Sequence, residues 1–73
     1  MMNGMKPAEL LRALNRLATR REWPLTVQEG GNHTKVVLNG RRTVVPRHPG
    51  DLKLGTFRAI LKQLGVTPAD LED

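Results

Sequence analysis

The chain has 73 residues, no cysteine, and twelve Lys and Arg against seven Asp and Glu, for a formal net charge of +5. That length suits one domain spanning residues 1–73, near the lower limit for folding without staples. Without cysteine, neither a disulfide framework nor a thiolate metal site is open to it. Apolar runs are too short to cross a bilayer, and Met1-Met2-Asn3-Gly4-Met5-Lys6 lacks the apolar stretch of a signal peptide. A cytoplasmic protein with no membrane segment is expected.

Charge is distributed unevenly. Asp70, Glu72 and Asp73 lie in the last four residues, so residues 1–69 carry twelve bases against four acids. Such an excess is either a solvated basic surface or a footprint for a polyanion or an acidic protein. The core must be built from Leu and Val, because Trp23 and Phe57 are the only aromatics.

Pro7 to Arg21 reads as a helix: Pro suits the first helical position, and Leu10, Leu14 and Leu17 recur at helical spacing with Leu11 and Ala18 beside them. Arg12, Arg16 and Arg20 line a second, solvated face of it. Pro24 ends the helix, and Leu25-Thr26-Val27-Gln28 alternates as a short strand. Gly30-Gly31 breaks that strand. His33 to Leu38 and Arg41 to Val45 are two further strands joined by Asn39-Gly40, a pair suited to a type I′ turn with positive φ at both positions.

A two-residue turn sets the register, pairing Leu38 with Arg41 and His33 with Pro46. Side chains alternate along strands, so Thr34, Val36, Leu38, Thr43 and Val45 share a core face with Arg41. His33, Lys35 and Arg42 share the opposite, open face with Val37 and Val44. Arg47 to Lys53 reads as a loop containing His48, Pro49 and Gly50. Thr56 is expected to cap a second helix from Phe57 to Leu64, with Phe57, Ile60, Leu61 and Leu64 inward and Gly65 stopping it. Thr67-Pro68-Ala69-Asp70 opens one more turn, with Leu71 reaching back to the core. The expected fold class is α+β, an α-β-β-β-α chain with helices on one face of a three-stranded antiparallel sheet, the shape of a double-stranded-RNA-binding domain.

The stretch Gly30-Gly31-Asn32-His33-Thr34-Lys35 concentrates the chemistry. It sets a histidine, whose proton exchanges near neutral pH, beside glycines that permit close approach and within a basic hairpin. On RNA, a neutral imidazole can take the proton of a 2′-hydroxyl as it attacks the adjacent phosphorus, while Lys35 and Arg42 hold the phosphate. Arg47 and Lys53 flank the second helix, whose N-terminal amides can receive a phosphate, and Asp51 can instead complement the helix dipole. Trp23, ahead of Pro24, is expected in the core. Scarce aromatics argue against a base-stacking reader. No acidic cluster is spaced to hold magnesium, so no metal and no cofactor are expected.

Three motifs stand in order: Gly30-Gly31-Asn32-His33, then Val45-Pro46-Arg47-His48, then Leu52-Lys53-Leu54-Gly55-Thr56-Phe57-Arg58-Ala59-Ile60-Leu61-Lys62-Gln63. Together they resemble the HicA toxin family over roughly residues 7–71. The resemblance implies an mRNA interferase with a double-stranded-RNA-binding-domain-like fold, neutralised by a HicB-type antitoxin protein, with the catalytic histidine at His33. The commonest family pattern is Gly-Ser-His, often with a second His adjoining; here Asn32 replaces the Ser and Thr34 the second His, leaving His33 in place. His48 has no catalytic counterpart in the resemblance and is expected as a structural or phosphate-contacting residue. RNA-binding positions are therefore expected at Lys35, Arg42, Arg47, His48 and Lys53. Two other readings remain open: a non-catalytic RNA-binding module, for which the fold suffices, and a protein-interaction subunit whose charge serves an acidic partner.

Overall fold

A computed structural model describes residues 5–47 and 50–72. The first helix, α1, runs Pro7–Arg21. Pro7 occupies its first turn, and the Lys6 N–H donates to Glu9 Oε1 at 3.0 Å. This satisfies a donor that precedes the helical hydrogen-bond pattern. Leu10, Leu14, Leu17 and Ala18 of the expected stripe are buried, Leu11 is half-buried, and Ala13 joins them inside. Glu22 closes the helix in the left-handed conformation (φ 58°), and the Trp23 N–H bonds back to Ala18 O at 2.9 Å.

Three antiparallel strands follow: β1 (Leu25–Glu29), β2 (His33–Leu38) and β3 (Arg41–Pro46), in the order β1-β2-β3. Asn39 and Gly40 both take positive φ, 51° and 85°, as the type I′ turn requires. The β2–β3 register runs from Leu38 opposite Arg41 to His33 opposite Pro46, in agreement with the pairing read from the turn. Thr34, Val36, Leu38, Thr43 and Val45 are buried, whereas His33, Lys35, Arg42 and Val44 are exposed. The hairpin thus has one core face and one open face. The Thr43 hydroxyl is buried against the Gln63 side-chain amide, with which it hydrogen-bonds, so no polar cost is left uncompensated.

The second helix, α2, runs Leu54–Leu64 with Lys53 as its N-cap. This corrects the expectation that Thr56 caps it and Phe57 begins it. The Phe57 N–H already bonds to Lys53 O at 2.8 Å, so Thr56 lies inside the first turn. Burial decides the start: Leu52 is buried and its N–H is held by Met5 O at 2.9 Å, which fixes the approach to the helix one turn before the favourable capping residue. Tertiary anchoring overrides capping propensity here. Ile60, Leu61 and Leu64 face the core with Phe57 half-buried, and Gly65 ends the helix at φ 73°.

A 3₁₀ turn over Pro68–Leu71 buries Leu71 and returns the tail to α1. Thr67 and Asp70 cap each other: Asp70 Oδ2 accepts the Thr67 N–H at 2.8 Å, and Thr67 Oγ1 accepts the Asp70 N–H at 3.3 Å. Arg20 Nη2 donates to Asp70 O at 2.7 Å, and Arg21 Nη2 lies 3.2 Å from Asp70 Oδ1. The result is an α+β fold of the double-stranded-RNA-binding-domain type, with its helices on one face of the sheet. Its least extent is 17 Å, about one helix layer laid on one sheet. Among the described residues no helix is long and apolar enough to cross a membrane.

Candidate nucleic-acid interface and active site

His33 opens β2 directly after the turn Gly30-Gly31-Asn32. The turn folds back tightly, with the Gly30 N–H donating to His33 O at 2.9 Å. A Cβ on Gly30 would stand 3.3 Å from that same oxygen, whereas one on Gly31 would meet nothing within 4 Å. A side chain at Gly30 would crowd the His33 carbonyl by a few tenths of an ångström, whereas Gly31 faces open space.

The imidazole is exposed. Two residues on, about 7 Å along the strand, Lys35 stands on the same face. Lys35 is paired with Gln28 on β1 and with Val44 on β3, and Val37 is paired with Thr26 and with Arg42. One open surface therefore carries His33, Lys35 and Arg42, with Val37 and Val44 between the charges. A cleft of about 280 Å³ surrounds the histidine, walled by Gln28, Glu29, the Gly30–Asn32 turn and Lys35. A wider concavity continues from it across Thr26, Val37, Arg42 and Val44. An extended polyanion can lie along such a face, with cations meeting its phosphates and the exposed Val44 and half-buried Val37 meeting its apolar surfaces.

The remaining residues singled out in the sequence lie elsewhere. Lys53 is exposed at the N-cap of α2. Arg47, expected beside Lys53, turns its guanidinium to the β1–β2 turn: Nη1 donates to Gly30 O at 2.7 Å, and Nη2 lies 3.7 Å from Glu29 Oε1. His48 lies outside the described residues. Asp51 is exposed, and no acid occupies the first turn of α2. Trp23 is half-buried against the core, with the Arg21 guanidinium 5.2 Å from its ring centroid. Of the arginine row on α1, Arg20 is tied to the tail through Asp70 O, and Arg12 is exposed. Among the described residues no group of three or more His, Cys, Asp or Glu side chains converges.

Sequence reasoning missed the contribution of β1. Gln28 and Thr26 line the open face because Glu29 pairs with Thr34 and Leu25 with Leu38. The alternation of β1 carried the signal, but the sequence assigned no register across the glycine turn.

The family described as HicA toxin of bacterial toxin-antitoxin matches residues 9–66. The chain belongs to the HicA toxin family. The match takes in all three strands, the histidine turn and α2, so the whole open face falls within the HicA region. Among its relatives is the probable mRNA interferase toxin HicA of Escherichia coli K12, 52% identical over 42 residues, which are 56% of this chain and 72% of that protein. Another is the probable mRNA interferase HicA 1 of Photorhabdus laumondii, 44% identical over 41 residues, 55% of this chain and 72% of the relative.

Proposed function

We propose that this chain is the toxin of a type II toxin–antitoxin pair and acts as a metal-independent endoribonuclease on mRNA, with His33 as its acid–base residue. Membership of the HicA family and the mRNA interferase names of its relatives support the substrate class. The observation that carries the chemistry is the exposed His33 in a cleft that continues onto a cationic sheet face.

In this reading RNA lies along the open face, with Lys35 and Arg42 on phosphates. The His33 imidazole accepts the proton of a ribose 2′-hydroxyl. The 2′-oxygen forms a bond to the adjacent phosphorus as the bond to the 5′-oxygen breaks; the departing 5′-oxygen takes a proton from water, and the imidazolium returns the proton it accepted to solvent. The RNA thus supplies its own nucleophile, and the protein supplies orientation, proton transfer and positive charge. Positioned proton transfer is worth roughly two to four orders of magnitude in rate. Lys35 and Arg42 stabilise the charge that builds on the phosphoryl oxygens. Lys53 adds a phosphate contact at the α2 N-terminus. A HicB-type antitoxin inhibits by covering His33 and presenting acids to the arginines, and the pair works in the cytoplasm.

The test is incubation of purified protein with mixed-sequence RNA in EDTA, comparing the native chain with His33→Ala. Cleavage by the native chain alone supports the proposal. Equal cleavage by both removes His33 from the chemistry. Binding without cleavage by either makes the chain an RNA-binding module.

A further inference from the structure

The turn that delivers His33 is gripped from the far edge of the sheet. β2 lies between β1 and β3, so the two outer strands are not neighbours. Arg47 nonetheless joins their ends. It follows Pro46, the last residue of β3, and its backbone N–H donates to Asn32 O at 2.9 Å. This adds one rung to the β2–β3 ladder beyond the His33–Pro46 pair. Its side chain then crosses the end of β2 to reach Gly30 O at 2.7 Å and Glu29 Oε1 at 3.7 Å. One residue therefore holds the turn on both sides of Gly31, and the Gly30 N–H passes that hold to the His33 carbonyl at 2.9 Å.

We propose that Arg47 is a positioning residue, fixing the Gly30–Asn32 turn and through it the place of the His33 imidazole, rather than an RNA ligand. The proposal rests on the reading of His33 as the acid–base residue. Two consecutive glycines have the greatest backbone freedom of any pair, and neither sits at a left-handed φ that would itself dictate the turn. Beyond the Gly30–His33 bond that closes the turn, what restrains the pair comes from outside it. A guanidinium suits the task, because its planar fork directs one N–H to Gly30 O while the rest of its charge faces Glu29, where an ammonium offers one point charge. The Glu29 carboxylate beside it also offsets the charge a phosphate would seek.

Arg47→Lys and Glu29→Gln test this in three measurements: kcat and KM on RNA, the salt dependence of RNA binding in a His33→Ala background, and hydrogen exchange at the Gly30 amide. Arg47→Lys is expected to lower kcat by about 10- to 100-fold, the loss typical of a small misplacement. KM should stay within about twofold and the salt dependence should not change. The Gly30 amide should exchange faster, with Glu29→Gln shifting it the same way by less. A raised KM with unchanged kcat and a shallower salt dependence would make Arg47 a phosphate contact and overturn the proposal. Unchanged Gly30 exchange in Arg47→Lys overturns it too. If the native chain shows no His33-dependent cleavage, the ribonuclease reading fails, while the exchange measurement still decides whether Arg47 holds the turn.

Discussion

Neutralising Lys35 and Arg42 together should flatten the salt dependence of RNA binding by an amount the sheet register allows one to work out. Lys35 pairs with Val44, and Val37 pairs with Arg42. The two cations are therefore diagonal neighbours on one face, on the order of 7 Å apart at the backbone. At that separation each can meet its own phosphate. A cation that neutralises one phosphate of a single strand contributes about 0.7 to the slope of log K against log salt. The double variant Lys35→Gln, Arg42→Gln should then lose about 1.4 from that slope. Between 50 and 200 mM salt this is about a sevenfold difference in how much affinity is lost. The assay is fluorescence anisotropy of a labelled RNA, with His33→Ala as the common background to prevent cleavage. Arg12→Gln is the control, because Arg12 is exposed on α1, away from the open sheet face. An unchanged slope in the double variant would refute the reasoning. Equal flattening by Arg12→Gln would also refute it, since the charge would then act through the whole surface rather than this face.

Leu17 is fully buried, so Leu17→Ala should cost about 2–5 kcal/mol in urea unfolding, a large share of the roughly 4–11 kcal/mol expected for a chain of this size. Gly65→Ala combines a left-handed φ of 73° with a Cβ 2.9 Å from Arg41 Nε. It should cost about 1–2 kcal/mol in backbone strain, besides disturbing the 3.0 Å bond from Arg41 Nε to Gln63 O. Melting should fall by about 4–16 °C with RNA cleavage retained below the transition; an unchanged melting temperature would contradict the structure. Asp70 is held below its ordinary carboxyl value of 3.8 by the Thr67 backbone N–H, helped by the Thr67 hydroxyl and the Arg21 charge. A depressed pKa stabilises the fold above the ordinary value and loses that contribution as pH falls through the folded one. Asp70→Asn should therefore melt below the native chain at neutral pH and converge with it in acid, and a gap constant across the whole range would show that the carboxylate charge is not involved.

Much of this protein was legible in its sequence. The leucine spacing of α1, the Asn39-Gly40 turn and the alternation on either side of it are local signals, each read within a few residues. A two-residue turn leaves one register, and one register assigns every side chain of the hairpin to a face. That is why His33, Lys35 and Arg42 could be grouped on an open surface and Val36, Leu38 and Val45 assigned to the core.

Where a second, distant segment decided the outcome, sequence alone was insufficient. The start of α2 was set by Leu52 and its bond to Met5 O rather than by Thr56, because anchoring in the core outweighs a capping preference. Gln28 joined the face of His33 through the β1–β2 register, which two glycines leave open until the turn is formed. Arg47 read as a cation flanking α2; instead its long side chain spans the end of β2 to Gly30. Local patterns determined the elements and their faces, because alternation and turn chemistry act between near neighbours. The tertiary structure alone decided what holds the histidine, because that grip joins strands that are not neighbours in the sheet.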